Sequence, residues 1–417
     1  MLKKIIVIMS AVFSMIFLAG VTSYGEETGT FTWRDVPVTR FPYFTILHSH
    51  DVGIKINGKD IINGESVPGA VYKDGRLWLD DLDIDGNIYI NDEYPFHITL
   101  DGDSSIRNLI FNGTELYIEG RGSLTAESIQ SVDTAYSDVS NTSITLTIRE
   151  NARVAGKNDP ENDTELNKLL NVNNISIKNN GYLKCADLAG EHLSLYDNAY
   201  VSAEHCTVDE IILADDSIMK VRSNYEKYPK LDITEDLKSS IYNISKMEIR
   251  DNARLSAECY TTDYGILCLG TGTRSQITVS ENGILEASGN SGVGIAAYQN
   301  YYSMFDMHDN SQVIINGFNN GLITRRLEIS GGTLKINSDG TALQINPRAL
   351  NYAYFGTGIY LYGDVISQSC DWILGKSLSL FYSSTFAEED YNTLRSRQTN
   401  NKLKDFSITV KEKNNEY

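Results

Sequence analysis

The stretches IRENARVAGK at 148–157 and IRDNARLSAE at 249–258 are nearly the same ten residues written 101 positions apart. Each holds two apolar-alternating halves around Asn and a small residue. The same pattern recurs as LYIEGRGSLTA at 116–126, ISIKNNGYLKC at 175–185, LSLYDNAYVSA at 193–203, IILADDSIMKV at 211–221, ITVSENGILEA at 277–287 and FDMHDNSQVII at 305–315. A shorter copy, LEISGGTLKI, lies at 327–336. Internal repetition of this kind is the signature of a repeat architecture.

Alternation has period two on both sides of the Asn, which predicts two short half-buried strands meeting at a corner. Asn151, Asn180, Asn198, Asp216, Asn252, Asn282 and Asn310 hold the corner. Asn and Asp best tolerate the left-handed backbone of a sharp bend, so these residues are expected to adopt it. A row of calcium-binding side chains is the alternative. The corners are spaced by 29, 18, 18, 36, 30 and 28 residues, which reads as a shortest turn of 18 with insertions.

A single unit cannot bury its apolar face alone, whereas stacking units at about 4.8 Å, the spacing of paired strands, builds one continuous core. The fold class expected is therefore all-β, a right-handed parallel β-helix (solenoid) with N- and C-terminal caps. Right-handed is favoured over the left-handed hexapeptide form because the insertions vary so much in length. Ile148, Ile177, Leu195, Leu213, Ile249, Val279, Met307 and Ile329 should stack as one interior ladder. Val154, Leu183, Val201, Met219, Leu255, Leu285 and Val313 should form the next, backed by Gly156, Cys185, Ala203, Val221, Ala257 and Ala287.

LYIEGRGSLTA, LEISGGTLKI and, before them, GIKINGKDI at 53–61 and VYKDGRLWLDDLDIDGNIYI at 71–90 together resemble exported β-helical surface proteins of Gram-positive gut bacteria. Those proteins carry pectate-lyase-like or carbohydrate-binding domains. The resemblance covers roughly residues 51–340 and implies fold and location, with glycan binding as an expectation. It transfers no catalytic residue. Residues 26–100 are expected to form a strand-rich N-terminal cap, 101–346 the helix, and 347–417 a C-terminal cap that covers unpaired backbone groups.

The chain opens with Lys3 and Lys4 ahead of an apolar run from Ile5 to Leu18 and small residues at Ser23-Tyr24-Gly25. That predicts a secretory signal peptide over 1–25, too short in its apolar part for a spanning helix, and a secreted or cell-surface location. No cysteine follows Leu18-Ala19-Gly20, which argues against a lipid anchor, and no later stretch is apolar enough to span a membrane. Removing 1–25 leaves 34 basic residues against 55 acidic and a net charge of −21. Nucleic acid and anionic membrane surfaces need a basic footprint, so neither is an expected partner. Five cysteines, Cys185, Cys206, Cys259, Cys268 and Cys370, make no disulfide framework. Cys185 reads as a core residue rather than a catalytic thiol.

DLDIDGNIYIND at 81–92 places Asp81, Asp83, Asp85 and Asp92 at calcium-loop spacing. Leu77, Leu79, Leu82, Ile84, Ile88 and Ile90 alternate like strands, so an Asp-Gly hairpin or corner is the stronger reading, and no cofactor is expected. Glycosidases need converging carboxylates. The adjacent pairs Asp80-Asp81 and Asp215-Asp216 are the candidates. Lyases need a basic residue near acids, for which Arg149, Lys178 and Arg250 beside Glu150 and Asp251 qualify, although charges alternating on a solvated sheet explain them too. His48-Ser49-His50-Asp51 is a weak metal motif, and Gly-x-Ser-x-Gly is absent.

Tyrosine is abundant at 25 residues. Tyr225, Tyr228, Tyr242, Tyr260, Tyr264, Tyr298, Tyr301 and Tyr302 lie in insertions, which in repeat proteins gather on the binding face. A tyrosine ring suits stacking against a sugar. Tyr260, Tyr264, Tyr298, Tyr301 and Tyr302 are therefore the glycan-contact candidates, against a role in packing loops. The function expected is a non-catalytic surface or secreted module that binds a polysaccharide or a host or cell-wall glycan. A polysaccharide lyase or glycoside hydrolase, and an adhesion stalk with a protein partner, are the alternatives.

Overall fold

The computed structural model describes residues 53–92, 94–131, 144–157, 169–227, 239–242, 245–260, 263–268, 276–297, 303–345, 358–361, 364–370, 381–382 and 405–411. The signal-peptide segment, His48, His50, Tyr228, Tyr298, Tyr301 and Tyr302 lie outside them. Among the described residues the chain is all-β apart from the one-turn 3-10 helix Tyr225–Lys227. No helix there is long and apolar enough to cross a membrane.

Long parallel ladders dominate. In the first, Ile118, Ile148, Ile177, Leu195, Leu213, Ile249, Val279, Met307 and Ile329 are successive register partners. In the second, Leu124, Val154, Leu183, Val201, Met219, Leu255, Leu285, Val313 and Leu334 pair in the same way. Every one of these eighteen side chains is buried and belongs to one core. A third parallel run, which the repeat pattern did not reveal, carries Cys206, Ile241, Ile266, Ile295, Leu322 and Leu343 inward. Among the described residues the strands form two sheets, neither of which closes on itself.

The corners form as turns closed by bonds such as Ala199 N–H to Tyr196 O at 3.1 Å and Ser217 N–H to Ala214 O at 3.2 Å. Their left-handed residue differs from the sequence expectation. Positive φ falls on the acid before the Asn, at Asp197 (58°), Asp215 (57°), Asp251 (57°), Glu281 (56°) and Asp309 (56°). Only Asn151 and Asn180 are themselves left-handed, together with Glu150 and Asn179. The cause is a bond between units. Each acid reaches back to the corner before it: Asp197 Oδ2 accepts from Asn179 N–H (3.1 Å), Asp215 Oδ2 from Asp197 N–H (3.0 Å) and Asp251 Oδ2 from Asp215 N–H (3.1 Å). Glu281 and Asp309 continue the column. The Asn side chains instead stack as an amide ladder, with Asn282 Nδ2 donating to Asn252 Oδ1 at 3.1 Å and Asn180 Nδ2 to Asn151 Oδ1 at 3.2 Å.

Both ends carry antiparallel strands. Gly53–Ile56 pairs with Lys59–Ile61, and Ala70–Lys73 with Arg76–Leu79. At the other end Asp405–Lys411 runs antiparallel between Gly332–Ile345 and Asp364–Cys370. Parallel pairing itself starts inside the N-terminal region, where Arg76–Leu79 joins Phe96–Leu100. It reaches past residue 346 through Gly358–Leu361.

Candidate functional site

Residues that alternate with the buried ladder point outward, and on the first ladder they make two adjoining columns. One runs Arg76, His97, Tyr117, Thr147; the other runs Trp78, Thr99, Glu119. Leu77 and Leu79 on either side of Trp78 are fully buried, whereas Trp78 is 41 % exposed. It faces Val71, also exposed, across the antiparallel pair. An indole left in water on a rigid strand keeps a large flat apolar surface available to a ligand.

Beside it stands a carboxylate whose burial the sequence did not predict. Glu119 is outward-facing yet 2 % exposed, because Arg76, His97 and Arg149 close over it. Arg149 Nε donates to Oε2 at 2.8 Å, Arg76 pairs with Oε1, and His97 Nδ1 lies 3.3 Å from Oε1. Burial alone would push this carboxyl up; the Arg149 hydrogen bonds and the charges of His97, Arg149 and Arg76 outweigh it and hold Glu119 below the usual carboxylate range. The His97 ring is pulled below its ordinary value mainly by burial. It stacks on Tyr117, with centroids 4.7 Å apart, and Arg149 lies over the same phenol at 4.8 Å. Tyr117 donates to Glu115 Oε2 at 2.8 Å, which raises its pKa. The result is a preorganised patch of guanidinium and imidazole edges next to an open indole. It suits hydrogen bonding to hydroxyl-rich ligands.

The second ladder carries a related strip. Tyr182 and Tyr200 stack with rings 2° from parallel and centroids 5.2 Å apart, flanked by Arg153 and Lys220. Of the tyrosines chosen from sequence, Tyr260 is 40 % exposed, bonds Glu258 through its hydroxyl at 3.2 Å and carries Arg222 over its ring. Tyr264 is half-buried in the strand Tyr264–Leu267. Tyr225 is buried.

Residues proposed for chemistry fare differently. Arg149 is committed to Glu119, and Arg250 to Glu248 (3.2 Å) and Asp251 (2.9 Å). Asp81, Asp215 and Asp216 accept hydrogen bonds at corners, from Asp103 N–H, Asp197 N–H and Asn252 Nδ2. Asp81 to Asp92 form no hairpin, because Arg76–Leu79 and Asn87–Asn91 belong to different sheets; the segment is a corner. Asp85 pairs with Arg107 at 2.8 Å, and Asp92 accepts from Tyr94 N–H at 3.0 Å. Among the described residues no group of three His, Cys, Asp or Glu could hold a metal ion. With Asp81, Asp85 and Asp92 held in these corner bonds, calcium is expected to leave the melting temperature unchanged; a calcium-dependent rise in a thermal melt would contradict this. Cys185, Cys206, Cys259 and Cys268 are buried, with the Cys268 thiol pushed up to about 12 by burial. They read as core, as expected of Cys185.

Near the far end of the same outward face the sequence pattern missed a second cluster. Asp306 and His308 alternate on the strand Met304–Met307 and just beyond it, and Ser330 lies beside His308 one unit later. His308 Nδ1 is 2.6 Å from Ser330 Oγ, and His308 Nε2 is 2.9 Å from Asp306 Oδ2. No protein-family model, curated protein or solved structure matches this chain.

Proposed function

We propose that the chain is an exported or cell-surface glycan-binding module, built as a right-handed parallel β-helix, that docks sugar on the outer face of the first ladder. The observation that carries the reading is Trp78, held exposed between two buried leucines and bordered by the Arg76, His97, Glu119, Arg149 patch. An aromatic plane beside fixed polar edges is the arrangement that lets a protein take an amphipathic ring from water. The ladders support the helix: each inward column returns after 18 to 36 residues, and all share one core. Cleavage of the sugar chain finds less support. Asp81, Asp215 and Asp216 serve as turn acceptors, and Arg149 and Arg250 are paired with carboxylates.

The test is a glycan-array screen of residues 26–417, each hit being incubated overnight and analysed for shortened chains. Binding without chain cleavage is expected, with Trp78→Ala weakening it at least tenfold. Binding that survives Trp78→Ala unchanged would remove the site, and chain cleavage would replace the reading with a hydrolase or lyase.

A further inference from the structure

Among the described residues two His–Asp pairs are hydrogen-bonded, and they differ in what they can reach. His205 Nδ1 lies 2.8 Å from Asp187 Oδ1, but both are sealed inside, at 2 % and 5 % exposed. His308 is open, with 40 % of its side chain exposed, and a serine hydroxyl sits on its other nitrogen. The Asp306 carboxylate behind it is largely buried, and its Oδ1 has no hydrogen-bond partner among the described residues.

When Asp306 Oδ2 accepts Nε2–H, Nδ1 is the ring atom left facing the Ser330 hydroxyl. The competing acceptor for that hydroxyl, Met307 O, is farther, at 3.3 Å against 2.6 Å. A nucleophile bonded to a base that is oriented by a buried acid is the minimum unit for acyl transfer. The following corner is compressed: a Cβ on Gly331 would meet Asp309 O at 2.4 Å, and Gly332 has φ 95°. Ser330 thus sits on a tight bend made possible by two glycines.

We propose that Ser330 and His308, positioned by Asp306, form a nucleophilic relay that hydrolyses small O-acyl esters, such as acyl groups carried on the bound glycan. Only the identity of that alcohol rests on the glycan-binding reading. Ser330 Oγ attacks the ester carbonyl as its proton passes to His308 Nδ1. The ester C–O bond then breaks and the leaving alcohol takes that proton. Water attacks the acyl-serine, His308 accepts its proton, and the acid departs as the proton returns to Oγ. No co-reactant other than water is required.

The test treats the full chain with a fluorophosphonate probe and, separately, with 4-nitrophenyl acetate. Labelling of Ser330, found by peptide mass analysis, is expected. Hydrolysis should fall about 10²–10⁴-fold in Ser330→Ala and His308→Asn, the range for loss of general-base assistance. Asp306→Asn should lower kcat with little change in KM and alter the pH profile, a response a merely structural role would not give. Ser202→Ala, on the second ladder, should behave as wild type. Absence of label at Ser330 in the unmodified chain, or hydrolysis by Ser330→Ala equal to wild type, would overturn the proposal. Because 4-nitrophenyl acetate carries no sugar, hydrolysis without any array binding would keep the relay and remove the glycan reading, whereas array binding without hydrolysis would do the reverse.

Discussion

Replacing Leu213 by Ala is expected to lower stability by about 2–5 kcal/mol, the range for truncating a fully buried leucine. Leu213 is 0 % exposed and sits mid-ladder between Leu195 and Ile249. Parallel strands fix the spacing of its neighbours, so the wall cannot collapse far into the space left behind. The loss therefore includes a cavity contribution as well as lost burial. Ser202→Ala, which faces outward on the second ladder, should stay within about 0.5 kcal/mol of wild type. Urea denaturation of both variants checks this. A Leu213→Ala midpoint indistinguishable from that of Ser202→Ala would mean that the ladder is not the core.

Glu119→Ala should cost about 2–4 kcal/mol at pH 7. Breaking a buried ion pair typically costs about 3–5 kcal/mol because the partners are left uncompensated. Here Arg76 has 41 % of its side chain exposed and recovers hydration, so the figure is reduced. The effect should depend on pH with a definite sign. The folded pKa of Glu119 lies below its ordinary 4.5, so its contribution is complete above that pH and is lost as pH falls through the lowered value. His97, whose ring is also depressed from 6.5, adds an acid-side loss starting at higher pH. The gap between wild type and Glu119→Ala in urea melts should be full at neutral pH and close in acid. A gap independent of pH would show that the carboxylate is not the stabilising group.

Much of the architecture was legible because period-two burial is local. The residues assigned from sequence to the first two ladders are the register partners observed, since shifting any strand by one would turn its apolar set to solvent. The corner conformation was not legible. Asn and Asp tolerate left-handed φ about equally, and the choice between Asp197 and Asn198 is made by a carboxylate-to-backbone bond across units. The site was hidden for the same reason. Glu119 is buried by Arg76, 43 residues before it, and Arg149, 30 after it, and Ser330 meets a histidine 22 residues earlier. No window of sequence contains these pairs. Trp78 was readable as a strand residue but not as exposed. The tyrosine criterion selected insertions, and it overlooked Tyr117, Tyr182 and Tyr200, which stand on the strands.

The claim that the Trp78 face takes the sugar is tested most directly by its own fluorescence. The chain has three tryptophans, Trp33, Trp78 and Trp372, so Trp33→Phe with Trp372→Phe leaves Trp78 as the sole reporter. Titration of that variant with the glycan found on the array should give a saturable blue shift at the Kd measured by calorimetry, as the exposed indole loses water. Calorimetric binding with no change in Trp78 emission would place the ligand elsewhere and contradict the account.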